Sequence, residues 1–395
     1  MPDRAPRLAI VLSHPVQYYS PWFRWLHQHT ALEFKVFYLW EFGVRETRDP
    51  QFATAFKWDV DLLSGYEHEF VPNTARDPGT HHFRGLDNPA LTRRLAVWRP
   101  GAVLLFGYNW LSHQRALWWA RRRGVPLLFR GDSHLLGRGR PAWPQLWLLR
   151  LLFRQFAAIT YVGAANQEYF QTLGVPAARL FFAPHSVDAA RFSPDDSVAR
   201  GSARQLRAEL GLTDKRVVLF AGKFSAAKQP LELLHAFHAV ATDSDALVLV
   251  GDGELRSEIE ALARSRPDRQ VRLLPFANQS EMPSRYLLAD IFALPSRGHY
   301  ETWGLAVNEA MHLGVPCLVS DRVGCQLDLV RPGETGWVFP AENPTAFAAT
   351  LQSALRTRPE ELRRLSQNAV ATSSRYTYQQ TSDGLLHALA SLSSR

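Results

Sequence analysis

Cysteine is nearly missing from this chain of 395 residues, which holds only Cys317 and Cys325. Two thiols are too few for a disulfide scaffold or a cysteine-rich metal site, and they suit a reducing cytoplasm. Cys317 falls within an apolar run that reads as a strand, so it is expected to be a small buried hydrophobe. No apolar run approaches the ~20 residues needed to span a bilayer. The opening MPDRAPRLAIVLS has neither the length nor the cleavage pattern of a secretory leader. No Gly-x-Gly-x-x-Gly follows the first strand and no Walker lysine appears, which argues against nicotinamide and triphosphatase chemistry. Helix-turn-helix, zinc-finger and oligonucleotide-barrel patterns are absent too, so no nucleic-acid partner is expected.

What is present is length, basic charge and a strand–helix rhythm. The chain exceeds what one core usually supports, which predicts two domains of roughly 200 residues each. Its net charge of +8 belongs to the first 188 residues, with 22 Lys/Arg against 14 Asp/Glu; the remainder is balanced at 23 of each. A basic half implies attraction to an acidic surface or substrate. Short apolar strands (LAIVL, AVLLF, VPLLF, AAITYV, then VVLFAG, ALVLVG, VRLLPF, IFALPS, PCLVS) alternate with helical stretches. That alternation predicts an α/β fold of parallel, doubly wound sheets. Residues 40–70 are weakly periodic and read as a long loop with short helical pieces. A polar stretch after Asp188 marks a boundary, giving domains at 1–188 and 215–375. Residues 189–214 are then a linker with a lead-in helix, and 376–395 a last helix that crosses back.

Candidate chemistry concentrates between Ala289 and Asp321. There a buried strand runs into a loop with Glu301, a helix over Leu305–Leu313 with Glu309, and another strand. The helix start after Gly304 offers unpaired N–H groups to a phosphate. On a neighbouring loop, KFSAAK, Lys223 and Lys228 stand five apart, and Gly251 and Gly253 permit close approach nearby. Together these form a diphosphate clamp, since each lysine can make charge-assisted bonds to phosphoryl oxygens. Glu309, inside the helix, suits the two hydroxyls of a ribose instead. Asp243 and Asp245 precede a strand and read as turn residues, not metal ligands.

In the first half, loops at carboxyl ends of strands present His14, Gly107–Asn109, Arg130, Asp132, His134 and His185. His134 can donate or accept near pH 7, with Asp132 or Asp87 to orient it; His185 reads as structural. Residues 138–156, GRPAWPQLWLLRLLFRQF after one further arginine, mix Arg138, Arg140, Arg150 and Arg154 with Trp143 and Trp147. Such a stretch suits an anionic membrane surface, and equally an ordinary helix packed on its sheet.

Taken in order, these pieces resemble glycosyltransferase family 4. LGVPAARLFFAPHSVDAARFSP is similar to the family's exit from its first domain, AGKFSAAKQP to its basic loop, and ETWGLAVNEA to its Glu-x7-Glu signature at Glu301 and Glu309. The resemblance covers the second half and the end of the first. It implies the GT-B architecture, two Rossmann-like domains facing a cleft. It implies a retaining transfer of sugar from a nucleotide diphosphate, UDP favoured and GDP the alternative, with no metal. The diphosphate would lie on Lys223 and Lys228, with Gly222, Gly251, Gly304, Leu305 and Phe276 around the nucleotide and Glu309 on the ribose. Glu301, His134 and Asp132 would stand at the reacting sugar. The acceptor would be a glycan or polyprenol-linked glycan of lipopolysaccharide or capsule type, met in the cytoplasm or at the inner face of the plasma membrane. The chain departs from the family at Ser13-His14-Pro15, where paired glycines are frequent, and by two extra residues between Pro295 and Glu301. A nucleotide-sugar epimerase of similar build, or a non-catalytic carbohydrate-binding protein, are the competing functions.

Overall fold

The computed structural model describes residues 7–44, 47–48, 55–56, 58–297 and 301–393. Its first sheet is built from β1 (Leu8–Leu12), β2 (Phe34–Tyr38), β5 (His68–Phe70), β6 (Ala102–Phe106), β7 (Leu127–Arg130), β8 (Ala158–Tyr161) and β9 (Leu180–Phe182). A separate antiparallel pair, β3 (Thr47–Arg48) and β4 (Ala55–Phe56), stands between β2 and β5 in sequence. The second sheet holds β10 (Arg216–Ala221), β11 (Asp245–Val250), β12 (Gln270–Leu274), β13 (Ile291–Leu294), β14 (Cys317–Ser320) and β15 (Gly336–Phe339).

The sheet orders are β5-β2-β1-β6-β7-β8-β9 and β12-β11-β10-β13-β14-β15, and every pairing within them is parallel. Each winds outward from its first strand in one direction and then in the other. That leaves a switch point between β1 and β6 and another between β10 and β13, the places where such sheets open a crevice for a ligand. The expected pair of doubly wound domains is what forms.

Parallel strands must be covered on both faces, and the sequence supplies apolar residues at every position to do it. Along β1, Ala9 and Val11 enter one core while Leu8, Ile10 and Leu12 enter another. Along β10, Val217, Leu219 and Ala221 face one core and Val218 and Phe220 the other. Burying one such side chain is worth about 1.5–3 kcal/mol, so these central strands anchor their sheets. Cys317 is fully buried on β14.

The stretch 40–70 differs from the expected loop with helical pieces. It contains β3, β4 and the edge strand β5, whose Glu69 pairs with Lys35 of β2; residues 45–46, 49–54 and 57 lie outside the described residues. A three-residue edge strand carrying a histidine and a glutamate has no alternation for a pattern search to find. Asp245, read as a turn residue, begins β11 and is buried against Arg356 at 3.0 Å.

The last helix, Tyr378–Ser393, packs on β8, β9 and the Ser20–His29 helix of the first lobe. Trp22 Nε1 donates to Ser382 at 3.0 Å, and Thr381 donates to the carbonyl of Pro184 at 2.8 Å. The polypeptide therefore passes between the lobes twice.

Candidate active site

Both loops that flank the β10/β13 switch point carry charge. After β10 the chain runs through Gly222, Lys223 and Lys228 to Gln229, a buried residue at φ 55. A non-glycine residue in the left-handed region is uncommon and costs of order 1 kcal/mol, strain that gathers at functional sites. Pro230 then opens the next helix. Across the switch point, the Lys228 ammonium contacts Glu301, and Ser296 Oγ donates to the same carboxylate oxygen at 2.8 Å. Residues 298–300, part of the loop between Pro295 and Glu301 where two extra residues are expected, lie outside the described residues. Lys223 lies half-buried on the lysine loop.

Two glycines are required by geometry. A Cβ on Gly251 would sit 2.0 Å from the carbonyl oxygen of Gly222, so only glycine lets these two turns touch. Gly304 has φ 97 and caps the Leu305–His312 helix, one residue shorter than expected. That turn aims the first N–H groups of the helix into the crevice.

Between the lobes lies a cavity of about 220 Å³. Its second-lobe wall includes Gly222, Gly251, Phe276, Leu305 and Glu309; its first-lobe wall is Gln17, Tyr18 and Trp58. Lys223 and Gly304 adjoin Gly222 and Leu305 in the chain, and Lys228 stands farther along the same loop as Lys223. A larger hollow of about 570 Å³ opens at the amino edge of the second sheet, but parallel sheets bind ligands at the carboxyl edge. Glu309 accepts a hydrogen bond from the Tyr286 hydroxyl at 2.6 Å. Burial pushes its carboxyl up to about 7, with the Tyr286 bond and the Arg191 charge pulling the other way. The site thus holds a carboxyl poised between neutral and charged forms near physiological pH.

The first lobe contributes differently from what its sequence suggested. Asp132 does not orient His134. Its carboxylate accepts from Thr302 Oγ1 at 2.9 Å and lies 3.4 Å from His185 Nε2. Asp87 does not either, because it is bound to Arg115. His134 is held by backbone: Leu136 N–H donates to Nδ1 at 3.1 Å, so Nε2 carries the proton and donates to the Glu301 carbonyl at 3.3 Å. The ring is a strut between lobes that fixes the Glu301 loop from behind. His185, read as structural, is buried among Tyr18, Tyr19 and Trp303, and Tyr18 in turn lines the crevice. Burial lowers its pKa, and Asp132 opposes that. His14 packs edge-on between Trp40 and Phe42 at ring separations of 5.9 and 5.3 Å. Burial drives it down to about 4, so it is neutral in the cell.

Sequence reasoning missed Tyr286, Ser296, Tyr18 and Trp58. Tyr286, Tyr18 and Trp58 meet the site only after distant segments are brought together, Ser296 sits on the strand exit that leads to Glu301, and none lies in a recognisable spacing. Among the described residues, one group has metal-donor atoms within 4.8 Å of one another, Asp77, His81 and His82; none of them lines the crevice.

Comparison with known proteins agrees with this geometry. Residues 202–372 match the family described as glycosyl transferases group 1, and residues 54–185 match a glycosyl transferase 4-like domain. The chain is 33% identical over 343 residues to a D-inositol 3-phosphate glycosyltransferase of Segniliparus rotundus, covering 77% of this chain and 72% of that one. It is 29% identical over 362 residues to the enzyme of the same name from Thermomonospora curvata, covering 83% and 81%. Its fold is similar to that of HepE from Anabaena, solved with UDP, at a TM-score of 0.75, with 16% identity over 98% of this chain and 99% of the other.

Proposed function

The chain belongs to the group 1, family 4-like glycosyltransferases, and from that premise we propose that it moves a sugar from UDP to a hydroxyl acceptor with retention at the anomeric carbon and without a divalent metal. The observation that carries this is the Lys228–Glu301 contact across the β10/β13 switch point, with Glu309 and the first residues of the capped helix lining the interlobe cavity.

In this structure Lys228 and Glu301 neutralise one another. An arriving diphosphate brings two or more negative charges and competes for the ammonium, releasing the Glu301 carboxylate toward the donor sugar's hydroxyls. Lys223, on the same loop, reaches the diphosphate from the other side. The nucleoside diphosphate then leaves as a dianion or trianion. Lys228, Lys223 and the N–H groups after Gly304 stabilise that charge where it develops, which is the electrostatic work a divalent ion does in other transferases. Glu309, ionised once it accepts two ribose hydroxyls, fixes the other end of the nucleotide. Among the described residues the carboxylate in the cavity wall is Glu309, which is committed to the ribose, so the same-face route fits, with the leaving phosphate taking the acceptor's proton. Closure of the crevice keeps water from the activated sugar.

The acceptor side is the basic first lobe. Its helix Trp143–Phe153 buries Phe153 and tucks Leu146, Leu149 and Leu152 against the core. The opposite face leaves Trp143 81%, Trp147 57% and Leu148 60% exposed, close in sequence to Arg138, Arg140, Arg150 and Arg154. Exposed tryptophans among arginines suit the headgroup layer of an anionic membrane, where a lipid-linked glycan acceptor would be met. No helix among the described residues is long and apolar enough to cross a membrane.

The test is a panel of UDP-, GDP- and ADP-sugars, first by melting shift and then by product analysis with and without EDTA. Transfer to a hydroxyl acceptor with the α configuration kept and EDTA without effect is the expected result. Isomerisation of the donor without acceptor would mean an epimerase, and an unchanged donor a binding protein.

A further inference from the structure

The nucleotide cavity has a wall from the first lobe that none of the motifs assigns. We propose that Trp58 stacks on the nucleobase opposite Phe276, and that Asp59 clasps the second lobe beside it, so that base binding and lobe approach are one event. This rests on reading the 220 Å³ cavity as the nucleotide site.

Four observations support it. Trp58 and Phe276 both line the cavity. Their ring centroids are 6.5 Å apart at a 54° tilt. Two stacking contacts of about 3.5 Å each, one on either face of a flat base, need about 7 Å, so the spacing is close to that of a sandwich, and the two rings must turn toward one another to complete it. Behind Trp58 stands Gly43, where a Cβ would lie 2.9 Å from Trp58 Cδ1, so the indole is backed closely by main chain. Next in sequence, Asp59 is bonded both ways to the second lobe. Its carboxylate accepts the Ser280 N–H at 3.2 Å and the Ser280 hydroxyl, while its own N–H donates to Asn278 Oδ1 at 3.3 Å.

Asn278 and Ser280 follow Phe276 directly, so the clasp holds the two segments that would grip the base. Asp59 and Ser280 are exposed. Hydrogen bonds formed in competition with water are individually weak, which suits a tie that must open for product release. The interlobe contacts of His134 and Asp132, by contrast, are half-buried. Trp58 would thus touch substrate, and Asp59 is a positioning residue.

The experiment titrates the full chain with UDP, GDP, ADP and, as a ligand without a base, inorganic pyrophosphate. Trp58→Ala should weaken the preferred nucleotide about tenfold, in keeping with base–aromatic stacking, and leave pyrophosphate binding within about twofold. Trp58→Phe should retain most of the affinity. Asp59→Ala and Ser280→Ala should each raise the donor KM a few-fold with little change in kcat, and the double variant should be no worse than either single one. Wild-type nucleotide affinity in Trp58→Ala, equal loss of pyrophosphate, or additive Asp59 and Ser280 effects would overturn the clasp while leaving the transferase reading intact. A wild-type chain that binds none of the three nucleotides would remove the cavity assignment, and the clasp with it.

Discussion

Both sheets wind the same way, yet their switch points carry opposite chemistry. At the β10/β13 crevice the side chains are Lys228, Glu301 and Glu309, charged or near the edge of charge. Near its side the first lobe sets mostly groups that burial keeps neutral: His14 at about 4, His185 lowered, and Tyr18 and Tyr19 raised far beyond physiological pH. Asp132 is the charged exception, because against the upward push of burial His185 and Thr302 hold its carboxyl low. One lobe is built to hold anions, the other to present a largely neutral wall to sugar, base and acceptor. A shared fold therefore fixes where a ligand sits but leaves each lobe to decide what kind of ligand it is.

The largest test of this contrast removes its charge. Lys228→Ala should lower kcat by about 10²–10³-fold, with a melting temperature close to wild type because the side chain is only half-buried on a loop. Turnover within a few-fold of wild type would erase the distinction between the lobes.

A second test uses pH, where the two lobes have opposite signs. Glu309 titrates at about 7 in the fold against 4.5 unperturbed. Its neutral form is favoured by folding, so its stabilising contribution, of order 1–3 kcal/mol, is present at low pH and lost as pH rises through 7. His14 titrates at about 4 against 6.5, so its contribution is present above 6.5 and lost as pH falls toward 4. Melting curves of Glu309→Gln and His14→Gln against wild type, between pH 4.5 and 7, should diverge in opposite directions. Nucleotide affinity should also fall as pH drops below about 7, by up to tenfold per unit, and Glu309→Gln should bind weakly with a flat profile. Parallel profiles for the two variants would contradict the assignment of charge to one lobe.

The smallest effect concerns the outer face of the first lobe. Replacing Trp143 and Trp147 by Ser should reduce binding to anionic vesicles several-fold at low salt, where basic attraction is strongest, and leave turnover on a soluble acceptor unchanged. Equal vesicle binding by wild type and variant would confine the contact to charge alone.

The fold was legible because fully buried parallel strands announce themselves as short continuous apolar runs, and proline and glycine mark where helices begin and end. β5 escaped because a short charged edge strand has no such pattern. In the site, Glu301 and Glu309 could be found from a continuous stretch with fixed spacing, and Lys228 from the basic loop after β10. Their partners could not: Tyr286 reaches Glu309 from a different helix, and Ser296 shares the strand exit of Glu301 without any motif. Asp132 and His134 stand two apart and look like partners in sequence. Once folded, the aspartate turns to Thr302 and His185 while the histidine turns to main chain.

The return of the Tyr378–Ser393 helix to the first sheet has a mechanical consequence. With two chain crossings side by side, the lobes are joined as a door is by two pins, which allows swinging about one line and resists twisting or sliding. Proteolytic cutting of 189–214 alone would leave the halves attached, and trimming the last sixteen helical residues would strip apolar cover from a lobe nearly two hundred positions away in sequence.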